Sequence, residues 1–292
     1  MQKVSTLVSV SWVAKQINSQ AKNLRIIDAS WHLPVFKRDP LKEYQEGHIP
    51  GALFFELAKC NASTNLAHTL PSPDAFAEFI GKLGIDNDTQ VVLYENNAKF
   101  GVFSVPRVWW MFRVFGHNNV SVMEGGLPLW IKEGHETTDV IPEVDPVKFR
   151  PSFVPELYKS LADIEANLEA ETFKVADARP KGRFNGEMPE PRKDIEPGHM
   201  PNAINLPFLT LLQEEDGISK FKSPEALKEA FAEAGLDLSQ PITTSCGSGI
   251  SACIVAMGAF LAGKEDVPVF DGSWEEFYLK MKDTKPENIL KG

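Results

Sequence analysis

Short, continuous apolar runs alternate along the chain with amphipathic stretches of helical period. In the first half the runs lie near Arg25 to Ala29, Gln90 to Tyr94 and Val120 to Met123. In the second they lie near Phe173 to Ala178, Ile242 to Ser245 and Val267 to Phe270. Continuous apolar runs suit parallel strands covered on both faces, and the helices between them supply the crossovers. One helix is predicted to open at Ser72-Pro73, to present Phe76, Phe79, Ile80 and Leu83 to a core, and to stop at Gly84. Another opens at Ser223-Pro224, presents Leu227, Ala230, Phe231 and Ala234, and stops at Gly235. In each, a serine can cap the orphan amides, a proline fits the first helical position and a glycine allows a left-handed exit. The pattern predicts an α/β sandwich in each half.

The two helices are separated by 151 positions, and other segments repeat at nearly the same spacing. Gly47-His48-Ile49-Pro50-Gly51-Ala52 recurs as Gly198-His199-Met200-Pro201-Asn202-Ala203 at an offset of 151. Ile27-Asp28-Ala29 matches Ala176-Asp177-Ala178 at 149, and Met123-Glu124-Gly125-Gly126 matches Phe270-Asp271-Gly272-Ser273 at 147. Four agreements at almost one offset imply two homologous domains. Between them, His135 to Ser160 carries Pro142, Pro146, Pro151 and Pro155 and no helical period, which reads as an extended linker. The expected division is a first domain over 1–138, a linker over 139–160 and a second domain over 161–292. His48 and His199 stand in both copies and read as hydrogen-bonding residues of the fold.

Composition narrows the function. The 292 residues include 30 basic and 40 acidic side chains, a formal net charge of −10. A chain this acidic has no general attraction to nucleic acid or anionic lipid, so an anionic ligand must be held by a few placed arginines. No stretch reaches the roughly 18 apolar residues that a membrane span needs. Cys60, Cys246 and Cys253 are few, odd in number and widely spaced, which excludes a disulfide framework or an all-cysteine zinc site and suggests a reducing compartment. The first ten residues carry neither an apolar leader nor an Arg-rich amphipathic pattern. A cytoplasmic enzyme is expected, with no metal and no cofactor.

In parallel α/β folds, ligands bind beyond the carboxyl ends of the strands. Ile242-Thr243-Thr244-Ser245-Cys246-Gly247-Ser248-Gly249-Ile250-Ser251 is such a strand-to-helix turn. Gly247 and Gly249 tighten it, and Ile250 and Ser251 open an apolar helix. A thiol here faces backbone N–H groups and the positive end of a helix dipole, both of which favour the nucleophilic thiolate. Gly247, Gly249, Ile250 and Ser251 are therefore expected to form an anion cradle around substrate. The corresponding strand of the first half runs into Glu95-Asn96-Asn97, so only one half carries the nucleophile. Cys253 lies two turns into the apolar helix and reads as core. A cysteine phosphatase would need an arginine six residues after the cysteine, where this chain has Ala252.

Taken with Asp28-Ala29-Ser30-Trp31, the two Gly-His-x-Pro-x-Ala signatures, Pro106-Arg107-Val108-Trp109-Trp110 and Asp271-Gly272-Ser273-Trp274, the sequence from Leu7 to about Tyr278 resembles the two-domain thiosulfate/3-mercaptopyruvate sulfurtransferases of the rhodanese-like family. Rhodaneses proper carry two basic residues after the cysteine, whereas Cys246-Gly247-Ser248-Gly249 is similar to the loop of members that use 3-mercaptopyruvate. The resemblance implies two tandem rhodanese-like domains, the first silent. It also implies an activity that takes sulfur from 3-mercaptopyruvate onto Cys246 as a persulfide and on to a thiol acceptor such as thioredoxin or a small thiol, releasing pyruvate and, with some acceptors, hydrogen sulfide.

The same resemblance places the substrate arginines at Arg183 and Arg192, and an Arg fork suits carboxylate and keto oxygens. It assigns a proton relay to Ser248 and to His68, the latter from the first half. Counting back from His68, Ala58 takes the place of the family's aspartate, with Glu56 the nearest carboxylate. It also keeps a mitochondrial location open. Two alternatives stand beside this reading: a thiosulfate:cyanide sulfurtransferase, and a non-catalytic sulfide-binding or scaffold protein.

Overall fold

A computed structural model describes residues 5–21, 23–62 and 65–292. It forms two compact units. One comprises Met1–Ala62, Leu70–Val154 and Glu214–Lys220, and the other Ser63–Thr69, Pro155–Gln213 and Phe221–Gly292. No helix among the described residues is long and apolar enough to cross a membrane.

The first unit runs β1 (Leu7–Val8), α1 (Val10–Asn18), β2 (Leu24–Asp28), α2 (Pro40–Glu46), β3 (Leu53–Phe54), α3 (Pro73–Lys82), β4 (Gln90–Tyr94), α4 (Val105–Val114), β5 (Val120–Met123) and α5 (Gly126–Lys132). Its strands form one parallel sheet in the order β1-β5-β4-β2-β3. On one face α1 and α5 bring Val10, Val13, Leu127 and Trp130 against Ile26 and Val92. The strand residues of opposite parity, Ile27, Val91 and Leu93, are buried on the other face, on the side of α3 and α4. There Phe76 stacks on Phe115 at 4.4 Å and meets Phe112 edge-on at 5.4 Å. Such rings dominate the apolar area removed from water, which is the main term holding the unit together.

The second unit repeats this arrangement with β6 (Tyr158–Lys159), α6 (Leu161–Ala170), β7 (Lys174–Asp177), α7 (Lys181–Phe184), β8 (Ala203–Asn205), α8 (Pro224–Glu233), β11 (Ile242–Ser245), α9 (Ile250–Leu261), β12 (Val269–Phe270) and α10 (Ser273–Thr284). Between β8 and α8 the chain adds a ribbon of β9 (Leu212–Glu215) and β10 (Ile218–Phe221), whose Glu214–Lys220 groups with the first unit. Its parallel sheet has the order β6-β12-β11-β7-β8, position for position that of the first. Ile164, Val175, Phe270, Trp274 and Phe277 pack between α6, α10 and the sheet. Each sheet is thus covered by helices on both faces.

Local chemistry explains the ends of the elements. Ser72 accepts from the Ala75 N–H at 3.2 Å and Ser223 from the Ala226 N–H at 3.3 Å, each with a proline in the first turn. His48 Nδ1 lies 2.7 Å from the Tyr44 carbonyl, and His199 Nδ1 lies 2.9 Å from the Phe184 carbonyl. Each imidazole also stacks on the ring of that residue, at 4.1 and 4.0 Å. The proline-rich stretch after His135 is not free of the first unit. Val147 N–H donates to the Gly81 carbonyl, Ser152 N–H to Phe115 and Val154 N–H to Val114, at 2.9, 3.0 and 2.8 Å.

The register shows which positions are equivalent. Asp28 lies opposite Tyr94, and Asp177 opposite Ser245. Past these pairs, the Ala29 and Ala178 amides donate to the Tyr94 and Ser245 carbonyls, both at 2.8 Å. Glu95 and Cys246 therefore occupy the same site in the two copies. Consistent with this, Leu127 N–H donates to the Glu95 carbonyl and Trp274 N–H to the Cys246 carbonyl, both at 3.0 Å.

The two aspartates differ in their partners. Asp177 has an arginine two residues on, whereas Asp28 has Ser30, whose N–H and hydroxyl both donate to Oδ1. Burial pushes the Asp28 carboxyl up to about 6, against the lowering effect of those bonds. A carboxyl raised in the folded state stabilises least when it must ionise. Its contribution is fully present below the unfolded value near 4 and is lost as pH rises to about 6. Asp28→Asn keeps both acceptor contacts without the charge. Its stability advantage over wild type is expected to be about 2 kcal/mol larger at pH 7.5 than at pH 4.5, measured by denaturant unfolding.

Candidate active site

β11 ends at Ser245, and the chain turns through Cys246 to Gly249 before α9 begins. Gly249 caps α9 at φ 84°, a left-handed conformation that a side chain would strain. Its N–H lies 3.1 Å from Cys246 Sγ, so the sulfur is held against the amino end of a twelve-residue helix. The Gly249 N–H and the helix end present their positive partial charge to the sulfur. The rest of the turn is strapped to the start of α10. Cys246 N–H donates to Ser273 Oγ at 3.1 Å, and Ser273 Oγ donates to the Phe270 carbonyl at 2.9 Å. The Glu275 N–H reaches the Gly247 carbonyl at 3.1 Å. Cys246 itself is only 2% exposed.

Three arginines and three carboxylates stand around this turn. Arg179 is fully buried: it pairs with Asp177 Oδ2 at 2.6 Å, donates to the Gly198 carbonyl at 2.7 Å and lies 4.7 Å over the Trp274 ring. Burial alone would depress its guanidinium, but Asp177 and Glu190 beside it hold it above its ordinary value. Glu190 Oε1 bridges Arg179 Nη1 at 2.9 Å and Arg183 Nε at 3.0 Å, while Glu190 Oε2 takes Arg183 Nη2. Arg183 is thereby aimed at the loop. Its Nη2 lies 2.6 Å from where a Cβ on Gly247 would stand, so a glycine there allows the fork to approach the main chain. Arg192 Nη1 pairs with Glu275 Oε1. Each arginine of the set thus has a carboxylate partner: Arg179 and Arg183 share Glu190, Arg179 also holds Asp177, and Arg192 holds Glu275.

The structure therefore brings Arg183, Gly247, Gly249 and Cys246 together, and ties Arg192 to the same loop through Glu275. Ser248 is half-buried inside the turn, and Ile250 and Ser251 form the first turn of α9. His68 is half-buried and takes a left-handed backbone conformation at φ 59°, which histidine tolerates better than most residues. Its segment, although part of the first half of the sequence, groups with the second compact unit. Ala58 is exposed, and Glu56 Oε2 is engaged by Lys59 Nζ at 2.7 Å. Cys253 is buried and donates its thiol to the Gly249 carbonyl at 3.2 Å, supporting the turn from below. Burial pushes the Cys60 thiol up to about 12, which makes it a poor nucleophile.

Arg179, Glu190 and Glu275 were missed as members of the site by reasoning from the sequence. A signal existed for the first. The repeat places Arg179 where the other copy has Ser30, so the charge appears only in the half with the cysteine.

Glu95 holds the equivalent position in the first half. In the cysteine's place its carboxylate folds back over the amino end of α4. Oε1 accepts from the Phe103 and Val105 N–H groups at 2.7 and 3.2 Å, and Oε2 accepts from the Ser104 N–H and hydroxyl at 3.1 and 3.0 Å. Burial raises its pKa, against the lowering effect of the four donors. The cradle that faces sulfur in one copy is filled by the chain's own carboxylate in the other.

The model of the rhodanese-like domain matches this chain twice, over residues 9–133 and 160–280. A human 3-mercaptopyruvate sulfurtransferase is 44% identical over 287 residues, 97% of this chain and 94% of that protein. A thiosulfate sulfurtransferase of Rattus norvegicus is 43% identical over 278 residues, 94% of this chain and 92% of its own. Among solved structures, a 3-mercaptopyruvate sulfotransferase of Escherichia coli with the rhodanese fold superimposes with a TM-score of 0.81 at 33% identity, covering 93% of this chain and 99% of that one.

Proposed function

The chain belongs to the rhodanese-like family, and on that premise we propose that it moves the sulfur of 3-mercaptopyruvate through a persulfide on Cys246 to a thiol acceptor. The observation that carries the reading is Cys246 Sγ at the amino end of α9 with an arginine fork against the adjoining glycine.

The thiolate attacks the substrate sulfur. The sulfur–carbon bond breaks, its electron pair leaves on carbon as the enolate of pyruvate, and the sulfur remains as Cys–S–SH. Arg183 and Arg192 grip the carboxylate and keto oxygens, and the N–H groups from Gly247 to Ser251 face the anionic centre. Ser248 and His68 supply the proton that turns the enolate into pyruvate, a kind of assistance that typically contributes at least about 10²-fold. The acceptor thiolate then attacks the outer sulfur and restores the Cys246 thiolate. Thioredoxin or a small thiol fits that role, and a second thiol frees hydrogen sulfide. Three free, buried cysteines fit a reducing compartment such as the cytoplasm. A plant relative named as mitochondrial makes that organelle the alternative.

Two other readings are weaker. Thiosulfate is a dianion, and a loop without basic residues beside arginines already paired with carboxylates suits a monoanion better, although thiosulfate sulfurtransferases are nearly as similar in sequence. A purely scaffolding role leaves the thiol cradle and the aimed Arg183 without purpose.

Incubation with 3-mercaptopyruvate followed by intact-mass analysis is expected to show one added sulfur per chain, located on Cys246. No added sulfur would overturn the reading. Arg183→Ala and Arg192→Ala should each raise the KM for 3-mercaptopyruvate about 10-fold or more, since a charge-assisted contact is worth about 1.5–3 kcal/mol. Unchanged kinetics in both would remove the arginines from the site.

A further inference from the structure

Glu275 has no part in the chemistry above, yet it is tied to the loop from two sides. Its N–H holds the Gly247 carbonyl at 3.1 Å, and its Oε1 holds Arg192 Nη1. Its side chain is 8% exposed and that of Arg192 is 37% exposed, so the pair has a buried anion behind a cation that solvent can reach. Glu275 Oε2 is buried without a hydrogen-bond partner. A carboxylate kept only to pin the backbone would not need its charge, and a buried, half-satisfied one is costly to keep. What the charge does is offset Arg192. Without it, Arg192 loses its ion-pair partner, and the surroundings of the turn gain one positive unit.

Resting on the sulfurtransferase reading, we infer that Glu275 is a specificity residue. It orients Arg192 and cancels one unit of charge, so that the site accepts monoanionic sulfur donors and disfavours dianionic ones. One extra unit charge in a half-buried site acts more strongly on a dianion than on a monoanion, and the difference at such separations corresponds to about a 10-fold change in preference.

The test is kcat/KM for thiosulfate relative to 3-mercaptopyruvate in wild type, Glu275→Gln and Glu275→Asp. The glutamine variant is expected to shift the ratio about 10-fold toward thiosulfate, chiefly through the KM for thiosulfate, and the aspartate variant to restore most of the wild-type ratio. Should the glutamine variant fail to fold, Glu275→Met, which leaves no unpaired polar atom, is expected to shift it the same way. A second readout needs no turnover: protection of Cys246 from iodoacetamide by sulfate against protection by acetate, with sulfate gaining in the variant. Equal losses with both donors and unchanged relative protection would show a merely structural glutamate and overturn the inference. A wild-type protein that takes no sulfur from 3-mercaptopyruvate, while sulfate protection still rises in the variant, would overturn the assigned donor and leave the charge role standing.

Discussion

Cys246→Ser is expected to keep the fold and to lose sulfur transfer by on the order of 10³-fold or more, the scale seen when an essential nucleophile is removed. The substitution changes one atom in a buried position, and a serine oxygen can still accept the Gly249 N–H that now lies 3.1 Å from sulfur. What it removes is the sulfur. A serine hydroxyl is a far weaker nucleophile than a thiolate, and an oxygen cannot form the sulfur–sulfur bond that stores the transferred atom. Persulfide mass and steady-state turnover should vanish together while the thermal midpoint moves by only a few degrees. Appreciable transfer by this variant would place the nucleophile elsewhere.

Glu190→Ala is expected to have the second largest effect, on stability and catalysis at once. Glu190 is 4% exposed and is shared by Arg179, which is wholly buried, and by Arg183, which faces the loop. Removing one partner from a buried charge cluster leaves a desolvated guanidinium short of its counter-ion and typically costs about 3–5 kcal/mol. Asp177 remains on Arg179, so the lower figure is expected. Arg183 loses both contacts that aim its fork at Gly247, and the KM for the donor should rise by at least about 10-fold. Denaturant unfolding together with donor kinetics checks both. A variant as stable as wild type would mean that solvent reaches Arg179 more readily than its burial implies.

The central strands and the repeat were legible because they write themselves in pattern. Val91 to Tyr94 and Ile242 to Thr244 are continuous apolar or β-branched runs, and the serine-proline helix starts recur at one offset. The outer strands were not: Leu7–Val8, Leu53–Phe54 and Tyr158–Lys159 are two residues each, too short to show any period. Cys246 was legible from its glycines and the apolar helix behind them. The carboxylates that aim the arginines were not. Glu190 sits among Glu187, Asp194 and Glu196, and nothing in such a stretch distinguishes a buried counter-ion from a solvated one. Glu275 hides in the same way, beside Glu276 at the start of a helix where acidic residues are ordinary. Only burial separates them.

The carboxylate of Glu95 gives the duplication a thermodynamic asymmetry. A ligand that arrives from solution adds stability by mass action, about 2.7 kcal/mol when it is present at a hundred times its dissociation constant and nothing when it is absent. A ligand carried on the chain is present at an effective concentration that does not vary. The cradle at the start of α4, holding Glu95 through three backbone N–H groups and the Ser104 hydroxyl, is in effect permanently saturated. The cradle at Cys246 holds the chain's own sulfur through the Gly249 N–H, and any further anion it takes must come from the surroundings. One copy is thus buffered against the supply of sulfur donor and the other is coupled to it.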